Sequence, residues 1–158
     1  MKIKILILLL VFSSLFLHSQ ETNDLPIDDS RFIVSFQDIQ FTTGSNITIL
    51  LNAIKEEAEI TKESFQTYYR WEGIELRLFR DYSEMGLISI SSDKFEMLSG
   101  VKIGQTIEEV IAKNGVPDSK SPAQLFYSIS MDQSEVFLLL ELQFQNNILT
   151  KIVLGSAI

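Results

Sequence analysis

One short stretch, Ile103 to Pro117, carries a complete set of signals for the beginning and end of a helix. Thr106 is a preferred N-terminal cap, and Glu109, on the first turn, can complete a capping box by reaching back to the Thr106 amide. Gly115 accommodates the positive φ that ends many helices. Because none of these side chains is chemically reactive, the stretch predicts a structural helix. Its motif residues are Gly104, Thr106, Glu109, Gly115 and Pro117.

The N-terminal segment, residues 1–19, predicts a secretory signal peptide. Basic residues precede an apolar run from Ile5 to Leu17, and a polar segment follows Ser19. The alternative is an uncleaved membrane anchor, but the run is shorter than the roughly 20 apolar residues that span a bilayer. The chain has no cysteine, which excludes an acylated lipoprotein anchor. We therefore expect export to the periplasm or the outside of the cell, cleavage between Ser19 and Gln20, and no stable membrane anchor afterwards.

The chain that follows the signal peptide is acidic. Lys2 and Lys4 are lost on cleavage, which leaves 11 basic and 21 acidic residues and a net charge of −10. A surface with this charge repels nucleic acids and anionic lipids and favours solubility. We therefore expect a protein or another envelope component as the partner, and no nucleic acid.

Histidine and cysteine are both missing from the predicted mature chain, because His18, the only histidine, lies in the signal peptide. Catalysis by Ser-His-Asp or Cys-His groups and zinc sites built from imidazole and thiolate are thereby excluded in their usual forms. Carboxylate, lysine or tyrosine chemistry and hard-cation binding stay open. On this basis we expect no enzyme activity, no catalytic residues, no metal site and no cofactor.

The pattern of apolar residues predicts a single α+β domain over residues 31–158, after a flexible acidic lead-in at residues 20–30. One helix is expected from Asn46 to about Glu59, and the other is the helix of the opening motif. Gln37 to Gly44 fits either a strand or a loop. The predicted strands are Arg31–Phe36, Phe65–Trp71, Gly73–Arg80, Leu87–Ser91, Gln124–Met131, Val136–Phe144 and Ile148–Leu154.

The two halves of this domain resemble each other. In each, a glycine and a capping residue precede a helix, and an aromatic-rich strand, an alternating strand and a short closing strand follow. The sequence therefore predicts two tandem units, residues 44–92 and 104–155. Each would be a helix plus three strands, with the short helices packed on one face of a curved antiparallel sheet. The alternative is an ordinary α+β chain in which such similarities carry no meaning.

The run Tyr68, Tyr69, Arg70 and Trp71 is the main candidate for a binding surface. Alternation along a strand directs Tyr68 and Arg70 to one face and Tyr69 and Trp71 to the other, so one pair is expected to be exposed. Tyrosine, tryptophan and arginine are enriched at binding hot spots. The alternative is that these side chains fill the core at the margin of the sheet.

Ile103 to Pro117 also resembles the signature of the SmpA/OmlA (BamE-like) family. The similarity consists of Ile103-Gly104, Thr106, Val110 and Gly115-Val116-Pro117, and it extends through a closing hairpin to Leu154. The duplicated arrangement of helix and sheet also looks like the β-lactamase-inhibitor-protein fold. That resemblance implies short helices on a curved antiparallel sheet with an aromatic binding surface. It carries over no functional residue, because the matching positions are structural.

Together these features predict a small exported, non-catalytic protein that binds a partner or assists assembly in the bacterial envelope. Two alternatives stay open: a carboxylate-dependent hydrolase acting on envelope glycans, and a purely structural partner domain of an envelope complex. In the second half of the chain, Phe126 with Ser128 and Ser130 is expected to form a poorer anchor than the aromatic run. The two halves are therefore not expected to bind equally.

Overall fold

The computed structural model describes residues 29–43, 47–79, 82–130 and 137–157. The predicted signal peptide and most of the predicted lead-in lie outside these ranges. Asp29, within the lead-in, caps a short 3-10 turn, Ser30–Phe32, by accepting a hydrogen bond from the Arg31 amide. No helix in the described ranges is long and apolar enough to cross a membrane.

The fold is mostly β-sheet, since 52% of the described residues lie in strands and 16% in helices. The helices are α1 (Ile47–Ile54) and α2 (Ile107–Asn114). The strands of the main sheet are β3 (Glu59–Lys62), β4 (Gln66–Trp71), β5 (Ile74–Phe79), β6 (Tyr82–Ile90), β8 (Ser119–Lys120), β9 (Gln124–Ser130), β10 (Phe137–Gln145) and β11 (Ile148–Ala157). The strands of a smaller sheet are β1 (Val34–Phe36), β2 (Ile39–Phe41) and β7 (Glu96–Met97).

The main sheet has eight strands in the order β3-β4-β5-β6-β11-β10-β9-β8, and all of its pairs are antiparallel. Strands β3 to β6 follow one another as a meander, and so do β8 to β11. The two meanders join where β6 pairs with β11. The smaller sheet has three strands in the order β2-β1-β7.

The predicted fold class, an α+β chain of two tandem helix-plus-three-strand units, is wrong, because the structure is mostly sheet. Each helix spans only 8 residues, and four strands of one shared sheet follow it. The prediction misses β3, because its sequence fits the end of a helix followed by a polar break. Its four residues pair in register with β4, and these backbone hydrogen bonds outweigh a weak local preference for strand.

The core lies against one face of the main sheet. In β5 and β6, the register places Leu76 opposite Ile88 and Ile74 opposite Ile90. These four side chains are buried, and buried residues of both helices and of the 3-10 turn join the same cluster. The row through Leu76 continues across the sheet as Tyr69, Leu76, Ile88, Leu154, Leu140 and Tyr127. Both helices therefore cover the same face of the sheet.

Helix α2 has the termini that its sequence predicts. The Thr106 hydroxyl accepts a hydrogen bond from the Glu109 amide, and the Glu109 carboxylate accepts one from the Thr106 amide. That backbone hydrogen bond lowers the pKa of Glu109. Gly115 ends the helix with a φ of 78°, a conformation that glycine adopts without strain. Asn146 and Asn147, which join β10 to β11, also have positive φ, which asparagine tolerates in a tight hairpin turn.

Three aromatic rings connect the smaller sheet to the main sheet. Phe36 of β1 stacks on Phe95, with 4.7 Å between the ring centroids, and contacts Trp71 of β4 edge-on at 5.2 Å. Such pairs contribute about 0.5–1.5 kcal/mol beyond the area that they bury. Trp71 is thus part of the structural contact between the two sheets.

Candidate functional site

The face of the main sheet opposite the helices is the candidate site, and we call it the open face. The strand registers place there the residues that alternate with the core residues. The residues that define the open face are Tyr68, Arg70, Glu75, Arg77, Leu87, Ser89, Phe126, Ser128, Phe137, Leu139, Glu141, Lys151, Val153 and Gly155.

The predicted aromatic run is divided between the two faces of the sheet. Tyr68 and Arg70 belong to the open face, whereas Tyr69 and Trp71 pack against the core cluster. The Trp71 indole N–H also donates a hydrogen bond of 3.1 Å to the Glu57 carboxylate. The structure therefore separates the four candidate residues into an outward pair that is available to a partner and an inward pair that supports the fold.

Tyr68 lies between two arginines on the open face. The guanidinium carbons of Arg70 and Arg77 are 5.3 and 5.1 Å from the centre of its ring. The Glu75 carboxylate accepts a hydrogen bond of 2.7 Å from Arg70 Nε and lies 3.9 Å from Arg77 Nη2, which is an ion pair without a hydrogen bond. The hydrogen bond to Glu75 raises the pKa of Arg70. The cluster presents a rigid aromatic ring and oriented guanidinium groups, which is the side-chain chemistry of binding hot spots.

The opposite half of the open face carries three exposed apolar side chains. Phe126, Phe137 and Leu139 are 37%, 46% and 42% exposed. Phe137 and Leu139 alternate on β10, and Phe126 lies on the adjacent strand β9 opposite Glu141. From the sequence, Phe126 with Ser128 and Ser130 is expected to be a poorer anchor than the aromatic run. Phe137 and Leu139 are not predicted to be exposed, because an apolar second face in a strand is also typical of complete burial.

A groove of about 480 Å³ crosses one end of the open face. It is lined mainly by charged and hydroxyl side chains, which are Glu59, Arg70, Glu72, Glu75, Ser89, Ser91 and Lys151, together with Trp71, Gly73, Ile74 and Ile90. Glu72 is ion-paired with Lys94 at 2.5 Å, and Glu75 with Arg70. No sequence motif indicates this groove, because its residues come from five strands, from the turn between β4 and β5 and from the residue after β6, and they meet only in the folded sheet.

The residues of the predicted structural motif lie away from the open face. The motif residues Gly104, Thr106, Glu109, Gly115 and Pro117 lie at the ends of α2 and in the turns beside it. Within the described ranges, no group of three or more histidine, cysteine, aspartate or glutamate side chains could hold a metal ion.

Comparisons of this chain with models of protein families, with curated proteins and with solved structures gave no match.

Proposed function

We propose that this chain is an exported, non-catalytic protein that binds a partner protein on the open face of its main sheet. The observation that carries the proposal is the composition of that face. The exposed face of an antiparallel sheet is normally polar, since it contacts only water. Here it presents the Tyr68 cluster in one half and exposed Phe126, Phe137 and Leu139 in the other.

The two halves of the open face can make different kinds of contact with the same partner protein. The exposed apolar side chains supply area that a partner removes from water, at about 25 cal/mol per Å². Tyr68 and the arginines supply directional contacts, and the hydrogen bond to Glu75 already orders Arg70 in the free protein, which lowers the entropy cost of binding. The export component of the proposal rests on the signal-peptide sequence at residues 1–19.

The groove favours binding over hydrolysis of glycans. A glycosidase needs two carboxyl groups about 5 to 9 Å apart that are free to act on the sugar. Two of the three carboxylates in the groove, those of Glu72 and Glu75, are already ion-paired with Lys94 and Arg70. A partner that supplies its own polar groups fits this arrangement better than an acid–base reaction does.

The test is capture of partners from an envelope extract by matched variants. Tyr68→Ala and Leu139→Ala remove one anchor from each half of the open face. Their controls are Phe65→Ala and Val116→Ala, which remove side chains that are 74% and 86% exposed and lie outside the sheet. Truncation of a hot spot costs about 2 kcal/mol or more, so we expect capture by the open-face variants to weaken at least tenfold. Equal capture by all four variants would contradict the proposal.

A further inference from the structure

Of the two cations that line the groove, Lys151 is the one that no carboxylate of the described residues holds. Its side chain is half-buried on β11, and within the described ranges it makes neither an ion pair nor a hydrogen bond. The acidic residue on the open face of the neighbouring strand β10 is Glu141. That carboxylate already accepts hydrogen bonds from the side-chain amides of Gln124 at 2.7 Å and Gln143 at 2.8 Å. The Lys151 ammonium group is thus left unpaired at the groove.

Ser89 provides a second polar group without a partner. It lines the groove from β6 and is only 8% exposed, in a cross-strand row between Glu75 and Val153. Its hydroxyl makes no hydrogen bond to a described residue, and its oxygen is not one of the buried side-chain atoms that lack a partner, so the hydroxyl faces the groove and can donate to a ligand there. A ligand atom that accepts a hydrogen bond from this hydroxyl would satisfy it.

The charges of the groove decide where an anion would lie. Among the described residues, Glu72 is ion-paired with Lys94 and Glu75 with Arg70, and Glu59 lies opposite Arg70 on the neighbouring strand, which leaves Lys151 as the cation of the lining that no carboxylate holds. Glu59 is on β3 and Lys151 on β11, four strands away across the sheet, which is a separation of about 19 Å. A negative group is therefore attracted to the Lys151 end, where Ser89 offers a hydroxyl donor; the Ser91 hydroxyl already donates to the Gly73 carbonyl at 3.1 Å.

We propose that this end of the groove binds a carboxylate of the partner protein, supplied by an aspartate or glutamate side chain in its docking segment. Lys151 supplies the charge and Ser89 the hydrogen bond, and the docking segment continues from there onto the open face. This inference rests on the proposed binding function and specifies the chemistry that the partner presents. The acidic chain as a whole repels an acidic ligand, but the positive charge of Lys151 attracts the ligand locally.

The test uses two peptides that differ only in charge, N-acetyl-Val-Glu-Val-amide and N-acetyl-Val-Gln-Val-amide. Calorimetry measures the affinity of each peptide, because the Trp71 ring packs against the core and not on the open face. We expect the wild-type chain to bind the glutamate peptide about tenfold more tightly than the glutamine peptide. Lys151→Met should abolish this preference, Lys151→Arg should retain it, and Ser89→Ala should weaken binding of the glutamate peptide. The control is Lys62→Met, an exposed lysine outside the groove.

Three results would overturn the carboxylate site. The first is equal affinity for the two peptides, and the second is a preference for the glutamate peptide that persists in Lys151→Met. The third is no saturable binding of the glutamate peptide up to about 20 mM, a concentration at which a ligand with a millimolar Kd is almost fully bound. The proposed binding function is tested separately by Tyr68→Ala and Leu139→Ala, which leave Lys151 in place. If the peptides fail and capture still depends on those two residues, only the inference about the carboxylate is lost.

Discussion

The neighbouring tyrosines of β4 should differ sharply in their contribution to stability. Tyr69 is half-buried and packs on the core beside Leu76, whereas Tyr68 contacts two arginines on the open face. Truncating a fully buried large aromatic to alanine costs about 3–5 kcal/mol, so a half-buried Tyr69→Ala should cost about 2 kcal/mol. Tyr68→Ala loses two exposed cation–π contacts and should cost about 1 kcal/mol or less.

The assay is urea unfolding followed by Trp71 emission, together with the thermal midpoint. For a domain of this size, about 1 kcal/mol corresponds to roughly 3–4 °C. Tyr69→Ala should therefore lower the midpoint by about 7 °C, and Tyr68→Ala by no more than about 4 °C. The urea m-value should be unchanged in both, because each removes a side chain without changing the fold. Phe65→Ala is the baseline, since that ring is 74% exposed. A larger loss for Tyr68→Ala than for Tyr69→Ala would refute the assignment of the two faces.

Three further outcomes are expected. Thr106→Ala should cost about 1 kcal/mol through loss of the cap, and Gly115→Val should cost more because its φ of 78° is strained for a β-branched residue; equal, negligible changes in the thermal midpoint would contradict the helix boundaries. The hydrogen bond from Arg31 lowers the pKa of Asp29 in the folded chain, so its contribution is present at neutral pH and is lost as the pH falls below about 4 and through the folded pKa. In Asp29→Asn, the free energy of unfolding measured with urea should therefore fall less steeply as the pH is lowered through this range. An unchanged pH dependence would show that the Asp29–Arg31 pair does not cause the loss of stability in acid. Secreted protein should begin near Gln20 by N-terminal sequencing, and recovery of the uncleaved chain from a membrane fraction would show that the segment is an anchor.

The ends of α2 were predictable because the information is local. Thr106 and Glu109 recognise each other across one turn, and Gly115 acts through its own backbone, so sequence spacing is sufficient. The same holds for the turn at Asn146 and Asn147, where both residues tolerate positive φ. Elements of this kind require no knowledge of the rest of the chain.

The fold class was not predictable in the same way, because its strands depend on distant partners. Strand β3 has a sequence that suits a helix end, and it becomes a strand through pairing with β4. Strand β7 has only two residues, Glu96 and Met97, which is too short for any periodicity and is defined by pairing with β1. Non-local pairing therefore shifted the balance from α+β to mostly sheet.

Only part of the candidate site could be predicted from the sequence. Alternation divides Tyr68 and Arg70 from Tyr69 and Trp71, but it does not say which pair faces the core, since both contain an amphipathic aromatic residue. The cross-strand neighbours Leu76 and Ile74 decide this, because they bring Tyr69 and Trp71 to the buried side. Lys151 had no sequence signal, because the absence of a partner is a property of the assembled sheet.

Site-specific photocrosslinking is the most direct test that a partner protein binds on the open face. A benzophenone amino acid is placed, one position at a time, at Arg70 and Leu139 on that face and at Phe65 and Val116 outside it. The chain is exported in living cells and irradiated there. Binding on the open face predicts that positions 70 and 139 crosslink to the same protein, and that positions 65 and 116 do not. Crosslinks of equal yield from all four positions, or from positions 65 and 116 alone, would contradict it.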